Sequence, residues 1–539
     1  MISFDITGLW SVEDPDALFQ SVLFFLGSAA FAFQLPDLTQ WALRWTGKSN
    51  KRKRSRPVSI DKLETKFLSV FWLLRTSFWM SGPYFYSACA SKMQNGNPLS
   101  VSTISQIALV GYISTPILGP LAGDFLSRKG PKVGSIIAAI FYGIGGLSLC
   151  SNSLPIMFLG RAFGGFGSSL MSSAPEAWLV AEAKRKDKDA SVVWLRAIFG
   201  RAFQFDPILA ILAGKLAGVF ASYRGPTGPF EAQPLILGAA IGMILLLWNG
   251  PSIQNDTETT KQEKDRETLK SVFKSEVMTN SNVFLVGCIQ MLFESAMNIF
   301  VLLWPPTMNA AIKAVYGETK TPFGSIFSCM MCSCLVGGLF FGEVSRVFGF
   351  NVSMISLMLC ATLSMCLAAY SVATFDPEGN GTQHLIQLTT AFLIFEGCVG
   401  AYFPSIGILR CNHYGNGNLQ LLLTLFQFPT NAIVAVVFVC LQSLGNTRAL
   451  FLTCALLGLG TLSMLILRFD KDKRKRKQAV DKLKAAVKTT MHSFNSDAEK
   501  AKGEPEARPM HRKRHSRRPS LHEIGQDGLV NRASFTMPL

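Results

Sequence analysis

The chain has 539 residues, of which 49% are hydrophobic and only 16% charged, and its formal net charge is +17. Because soluble domains carry about 25% charged residues, this composition excludes an ordinary soluble protein and favours a chain that lies in lipid. The basic excess does not indicate a nucleic-acid partner, since most of it lies in two segments, 48–62 and 469–539, that adjoin apolar blocks and suit an anionic membrane surface.

Thirteen apolar blocks follow one another along the chain, each of about twenty residues, the length that an α-helix needs to cross the ~30 Å hydrocarbon core of a bilayer. The first covers residues 17–35. The next six cover residues 66–90, 101–125, 133–151, 154–181, 192–221 and 234–248. After a polar stretch, the last six cover residues 282–305, 322–341, 350–372, 385–409, 421–444 and 447–467.

One leading helix followed by two sets of six predicts an all-α membrane protein with the major facilitator fold. In that fold two six-helix halves face each other, and the solute site lies between them near the membrane midplane. The pattern divides the chain into five regions: a stub with its anchor helix and a basic loop (1–65), the first half (66–250), a linker (251–281), the second half (282–468) and a basic, mostly disordered tail (469–539).

The basic loops set the predicted orientation, because Lys and Arg concentrate in the cytosolic loops of membrane proteins. Residues 44–66 and the loops after the third and fifth spans are basic, whereas the alternate loops hold few cations. This pattern places the linker and the tail in the cytosol and the N-terminus outside. Acidic residues before the first span favour a retained anchor over a signal peptide cleaved near Ala30-Phe31-Ala32. We expect a multi-pass protein of the plasma membrane.

Two modification sites follow from this orientation. The triplet Asn380-Gly381-Thr382 falls in an outside loop, which predicts a glycan on Asn380. On the cytosolic side, Arg517 and Arg518 precede Ser520 in the form that basophilic kinases favour. A chance match in a basic tail is the alternative for Ser520.

The sequence does not indicate an enzyme. No nucleophile–base pair and no metal-ligand spacing recurs in its loops, and Gly47-Lys48-Ser49 lacks the first glycine of an ATP-binding loop and the strand that precedes one. We therefore expect no cofactor, no metal and no nucleotide. A chain of this class would move its solute on an ion or solute gradient, which is secondary active transport.

The loop after the third span carries a short charged motif. Residues Gly119 to Lys129 resemble the signature loop of major facilitators, in which an acid and two bases fasten neighbouring helices on the cytosolic side. We predict such a latch at Asp124, Arg128 and Lys129. A plain basic loop is the alternative.

Longer motifs are spread through both halves. They are Gly82-Pro83-Tyr84, the stretch Arg161–Glu182, Phe199-Gly200-Arg201-Ala202, Leu292-Phe293-Glu294-Ser295, and Phe395-Glu396 with Tyr402-Phe403-Pro404-Ser405 beyond it. Together they resemble the molybdate-anion transporter family of the major facilitator superfamily over about residues 66–467. The chain departs from that family at Phe78, where an Asp is common. The resemblance implies a major facilitator fold and molybdate as the substrate.

Cationic side chains inside spans are candidates for binding this anion, because each charge costs about 2.5–3.5 kcal/mol to insert at a helix centre. The forked guanidinium of Arg suits a tetrahedral oxyanion. We expect Arg201 to be the main ligand and Arg75 the second, with Tyr84 and Tyr402 as further substrate-binding side chains.

Four acidic side chains are candidates for proton coupling or gating: Glu176, Asp206, Glu294 and Glu396. A structural ion pair inside the bundle is the alternative for each of these charges. Arg161 and Arg410 lie nearer the span ends, where a long side chain can reach the membrane interface, so a structural role is predicted for both.

The sequence therefore predicts a secondary active transporter that imports a small oxyanion, molybdate by resemblance, through alternating access. One alternative is a major facilitator for another solute, such as a sugar, an organic anion or a drug. The other is a non-transporting membrane sensor or scaffold whose tail signals.

Overall fold

The computed structural model describes residues 14–45, 58–94, 96–186, 191–248, 276–376, 379, 381–414 and 419–501. The predicted glycan acceptor Asn380, the predicted phosphoacceptor Ser520 and nearly all of the linker lie outside these described residues.

The first part of the chain is helical apart from one small hairpin. Its described helices are α1 (Pro15–Trp45), α2 (Val58–Ser81), α3 (Phe85–Ala90), α4 (Val101–Lys129), α5 (Pro131–Ser148), α6 (Leu154–Lys186), α7 (Ser191–Gln204), α8 (Asp206–Arg224) and α9 (Gly228–Leu247). The hairpin joins α3 to α4 through the antiparallel strands β1 (Met93–Gln94) and β2 (Asn97–Pro98). Helix α4 then begins after Ser100, whose hydroxyl accepts a hydrogen bond from the Thr103 amide, as N-capping serines do.

The second part of the described chain is helical throughout. Its helices are α10 (Ser281–Tyr316), α11 (Phe323–Phe348), α12 (Phe350–Ala373), α13 (Gly381–His413) and α14 (Leu419–Ala501). Gly445 interrupts α14 with a φ of 71°, a left-handed conformation that glycine adopts without steric penalty. The bend divides the apolar part of α14 into the two spans that the sequence predicts there.

Ten segments of the described chain are long and apolar enough to cross a membrane. One of the ten runs through the Gly445 bend and so covers two predicted spans. Helices α2 and α6 complete the predicted set, and they are less apolar because α2 carries several charges and α6 many glycines and serines. The prediction of an all-α membrane protein with two six-helix halves and a leading helix is confirmed.

Helix α14 continues well past the last predicted span. A second unit begins at Leu465, and its described part, which ends at Ala501, is helical. The sequence predicts a mostly disordered tail from residue 469; residues 470–501 are helical in the described part of the chain, and the character of the whole tail stays a prediction. Its many Lys and Ala residues are strong helix formers, which accounts for the helix there.

An aromatic core holds the first half together near the linker, where α9 ends. Phe67 and Phe71 of α2 are buried there together with Trp178 of α6 and Trp248. The Trp178 and Trp248 rings stack at 4.0 Å, and the Trp248 indole donates a hydrogen bond to the Lys66 carbonyl. This core fixes α2, α6 and α9 relative to one another, and therefore the charged side chains farther along α2 and α6.

Small residues let helices within each half approach closely. In the first half, a Cβ on Gly145 of α5 would lie 2.6 Å from the Gly164 Cα of α6. In the second half, a Cβ on Gly400 of α13 would collide with the Cys334 backbone of α11. Such contacts are typical of helices that pack in membranes through small residues.

The two halves meet where α8 of the first half crosses α11 of the second. A Cβ on Gly324 of α11 would collide with the Gly214 carbonyl of α8, so the two backbones touch. Next to them the Gly324 amide donates to the Tyr84 hydroxyl at 3.4 Å. We call this contact the glycine crossing. It holds the two halves in contact near the first turn of α11.

The leading helix α1 is fastened to this crossing. Ser325 of α11 donates a hydrogen bond to the Asp16 carboxylate at 2.5 Å, and Lys215 of α8 donates to the Ser325 hydroxyl at 2.8 Å. One turn farther along, the Cys329 thiol donates to the Phe19 carbonyl, and the Phe19 ring is buried. We call this set of contacts the N-terminal clasp.

Candidate functional site

A cavity of about 300 Å³ lies between the two halves. We call it the central cavity. Its walls come from helices of both halves and are mostly apolar and aromatic, with a few neutral polar side chains: Ser81, Tyr86, Tyr112, Tyr142 and Asn298. Among the described residues that line it, Arg161 and Glu396 are the two that carry a formal charge.

Arg161 of α6 presents its guanidinium to the central cavity from the first half. The guanidinium lies against Gly111 of α4, where a Cβ would come within 2.5 Å of it, and its carbon sits 4.9 Å from the centre of the Phe85 ring. Its Nε is buried, and no described residue accepts a hydrogen bond from the side chain. Because a guanidinium carries five donors in a fixed fork, most of that capacity is open to a ligand or to water.

Glu396 of α13 faces the central cavity from the second half. It is 6% exposed, and no described residue donates a hydrogen bond to its carboxylate or forms an ion pair with it. The close packing of Gly397 and Gly400 against α11 places this side chain at the edge of the contact between the two helices, beside Cys334. Because no described residue gives this carboxylate a counter-charge or a hydrogen-bond donor, a bound proton or a bound ligand can stabilise it.

Arg75 and Asp206 form a buried ion pair within the first half. The Arg75 Nε and one terminal nitrogen donate to the two Asp206 oxygens at 2.7 and 2.6 Å. The Trp79 indole donates a third hydrogen bond to Asp206 at 3.2 Å. This bidentate pair joins α2 to α8, and neither charge lines the central cavity.

Glu294 and Arg410 form the corresponding ion pair within the second half. Arg410 of α13 donates to the Glu294 carboxylate of α10 at 2.9 Å and to the Gln290 side chain at 3.1 Å. The Tyr402 hydroxyl also donates to Glu294, at 3.4 Å, and the Tyr402 ring stacks on Phe293 at 3.9 Å. Tyr402 is therefore part of the packing between α10 and α13 and does not line the cavity.

The remaining predicted charges also lie away from the cavity lining. Arg201 of α7 pairs with Glu64 of α2 at 2.7 Å; its side chain is 43% exposed, whereas that of Glu64 is 7% exposed. Glu176 of α6 is half-buried, and the cation that acts on it is Arg75. The roles in binding and coupling that the sequence assigned to these residues stay predictions.

The predicted latch residues lie at the end of α4. Asp124 accepts a hydrogen bond from Arg128 at 3.0 Å within the same helix, and the two side chains are 55% and 75% exposed. Lys129 follows in the last turn. In this conformation the pair does not bridge two helices, and the latch stays a prediction for a state in which neighbouring helices close at this end.

Of the charges assigned to the site from sequence, Glu396 lines the central cavity, and the cation opposite it is Arg161. The expectation that Arg161 reaches the membrane interface is wrong. The neighbouring Gly160, Gly164 and Gly165 pack α6 closely against α4 and α5, and this run of glycines was the feature of the sequence that indicated a buried position for Arg161.

Comparisons with known proteins agree with this architecture. Residues 37–390 match the model of a major facilitator family described as sugar transporters with twelve transmembrane segments. A peptide transporter, POT, in complex with sulfate has the same fold, with a TM-score of 0.57 at 13% sequence identity over 78% of this chain and 96% of that one.

Two curated relatives are named molybdate-anion transporters. The protein from Xenopus tropicalis is 26% identical over 70% of this chain and 79% of its own length. The protein from Takifugu rubripes is 24% identical over 76% of this chain and 87% of its own length. The resemblance that the motifs indicated is confirmed by these matches.

Proposed function

The chain belongs to the major facilitator family described as sugar transporters with twelve transmembrane segments, and we propose that within it this protein imports molybdate, a tetrahedral oxyanion. As a transporter it carries its solute by alternating access, in which the two halves rock about a site between them. Two observations support molybdate in particular: the similarity to proteins named molybdate-anion transporters, and the chemistry of the central cavity.

The observation that carries the proposal is the unpaired guanidinium of Arg161 in the central cavity. A cation inside a membrane protein is retained where it has a partner or a ligand, and no described residue is a hydrogen-bond acceptor for this one. A planar fork of N–H donors binds the edge of a tetrahedral oxyanion with two parallel hydrogen bonds. Arg161 therefore takes the role that the sequence gave to Arg201.

A sugar is the second candidate, because the matched family is described by that substrate. The central cavity offers aromatic walls from Trp79, Tyr86 and Tyr112, and aromatic faces suit sugar rings. A neutral sugar, however, does not compensate the charge of Arg161. Binding of molybdate requires the charge of Arg161, whereas binding of a neutral sugar does not, so one experiment distinguishes the two substrates.

The experiment is uptake of radiolabelled molybdate and, in parallel, of radiolabelled glucose into liposomes that contain the purified full-length protein. We expect molybdate to accumulate. Arg161→Gln removes two charge-assisted hydrogen bonds of about 1.5–3 kcal/mol each, which lowers molybdate affinity by a factor of about 10² to 10⁴. Arg161→Lys keeps the charge without the fork and should retain part of the uptake.

The matched control is Arg346→Gln, which removes an exposed arginine of α11 that pairs with Glu343 at the surface. It should transport as the wild type does. Molybdate uptake by Arg161→Gln at the wild-type rate would contradict the role of Arg161, and accumulation of glucose without molybdate would replace the proposed substrate by a sugar.

The plasma membrane and the orientation with a cytosolic C-terminus are part of the same proposal. They are supported by the basic loops that the sequence places on one side. Epitope tags at the two ends of the chain test them in intact cells: the N-terminal tag should bind antibody without permeabilisation, and the C-terminal tag only after it.

A further inference from the structure

The central cavity holds one unpaired charge from each half, and the proposed function uses only the cation. Arg161 comes from α6, whereas Glu396 comes from α13. Because neither has a hydrogen-bonding partner among the described residues, both can respond to what enters the cavity. An anion bound at Arg161 compensates the cation, but it leaves the Glu396 carboxylate without a partner.

The surroundings of Glu396 contain no described cation that would hold it permanently ionised. From α11 it is approached by Cys334, and its own helix carries Cys398, which contacts Cys360 of α12. Helix α10 contributes the neutral side chains Met297 and Asn298 to the same cavity, and helix α4 contributes Tyr112. The remaining charge that faces this cavity is Arg161, on the opposite wall.

A buried carboxylate without a cation or donors is stabilised most directly by binding a proton, because the neutral form loses little on leaving water. The cavity is also where the substrate enters, so the proton and the solute share one compartment. When an anion occupies Arg161, it adds negative charge to the cavity that Glu396 already faces. Protonation of Glu396 and binding of the anion then favour each other, which is the linkage that cotransport requires.

We propose that Glu396 carries one proton through the central cavity with each molybdate, so that the protein is a proton–oxyanion symporter. The inference rests on the proposed function of the same cavity. A proton from the entry side joins a Glu396 oxygen, and on the exit side both the anion and the proton return to water; no other bond forms or breaks. When the dianion and the proton are both bound, the cavity carries one more negative charge than the empty cavity with Glu396 ionised, instead of two more.

The test uses liposomes that contain the full-length protein and a trapped pH-sensitive dye. Adding external molybdate to the wild type should acidify the lumen by about one proton for each molybdate that enters, as the linkage of the two sites requires. An imposed gradient that is acidic outside should accelerate uptake. Glu396→Gln should still exchange labelled for unlabelled molybdate across the membrane, but without acidifying the lumen and without responding to the gradient.

The matched control is Glu343→Gln, which neutralises an exposed carboxylate of α11 outside the cavity; it should behave as the wild type in both measurements. Molybdate entry into wild-type liposomes without proton movement would overturn the symport while leaving molybdate transport intact. Proton movement that persists in Glu396→Gln would overturn the role of Glu396. An absence of molybdate uptake by the wild type would overturn the proposed function itself, and the symport with it.

Discussion

The two halves of the bundle arrange their charges alike in one respect and differently in another. Among the described residues, each half holds an ion pair whose two partners are both largely buried, Arg75 with Asp206 in the first and Glu294 with Arg410 in the second. Each half also turns one unpaired charge to the central cavity, a guanidinium in the first and a carboxylate in the second. The paired charges join helices of a single half, so they can travel unchanged as the halves rock. The unpaired charges are the ones that a solute or a proton can engage.

The largest expected difference between the paired charges and the unpaired charges is in the free energy of unfolding. Glu294→Gln leaves the Arg410 guanidinium in a buried site without its counter-charge, and loss of one partner of a buried ion pair costs about 3–5 kcal/mol. Glu396→Gln removes a buried carboxylate that has no partner, so we expect no loss of stability from it.

Thermal unfolding of the two variants in detergent, followed by tryptophan fluorescence, measures this contrast. A fall in Tm for Glu294→Gln together with an unchanged Tm for Glu396→Gln supports the distinction. Equal destabilisation by both substitutions would mean that Glu396 has a structural partner after all.

A smaller effect is expected at Arg201, where the sequence and the structure lead to different results. The sequence predicts that Arg201→Gln abolishes uptake. The pairing of Arg201 with Glu64, outside the cavity lining, instead predicts a stability loss of about 1–3 kcal/mol from the loss of the charge-assisted contact to Glu64 and an unchanged affinity for molybdate. Equilibrium binding of molybdate to the purified variant decides between them, and a loss of binding in folded protein would restore the prediction from sequence.

The smallest effect should come from Asp124→Asn, at the exposed end of α4. Its ion pair with Arg128 lies within one helix and is largely solvated, and such pairs contribute about 0–1 kcal/mol. We expect a Tm within error of the wild type. A clear drop in Tm at low salt would show that Asp124 bridges helices in the population that unfolds, as the predicted latch requires.

Much of the fold could be predicted from the sequence, because each span is a local property of the chain. A run of about twenty apolar residues predicts a membrane helix whatever the rest of the sequence contains. The start of α2 was harder to place. The helix begins at Val58, whereas the apolar block begins at residue 66. Its first turns carry Asp61 and Glu64, and charged turns are invisible to a search for apolar runs.

The candidate site could be predicted only in part, because pairing is not local. The sequence identifies Arg75, Asp206, Glu294 and Arg410 as charges inside spans, but the partners are separated by 131 residues in one pair and 116 in the other. Nothing in one sequence specifies which cation meets which acid. Arg161 and Glu396 are set apart from the other charges because they line the central cavity, and which side chains meet there depends on the packing of distant helices.

The N-terminal clasp also bears on how movement of this protein could be followed. Helix α1 is the first described helix, yet Asp16 and Phe19 accept hydrogen bonds from α11 in the second half, and Lys215 of the first half donates to Ser325 of α11. If the halves separate at the glycine crossing, the bond from Lys215 has to break, whereas those from Ser325 and Cys329 do not. A fluorophore attached at the outer end of α1 would then move with the second half. With a second dye on α8, energy transfer between the two dyes would measure how far the halves separate.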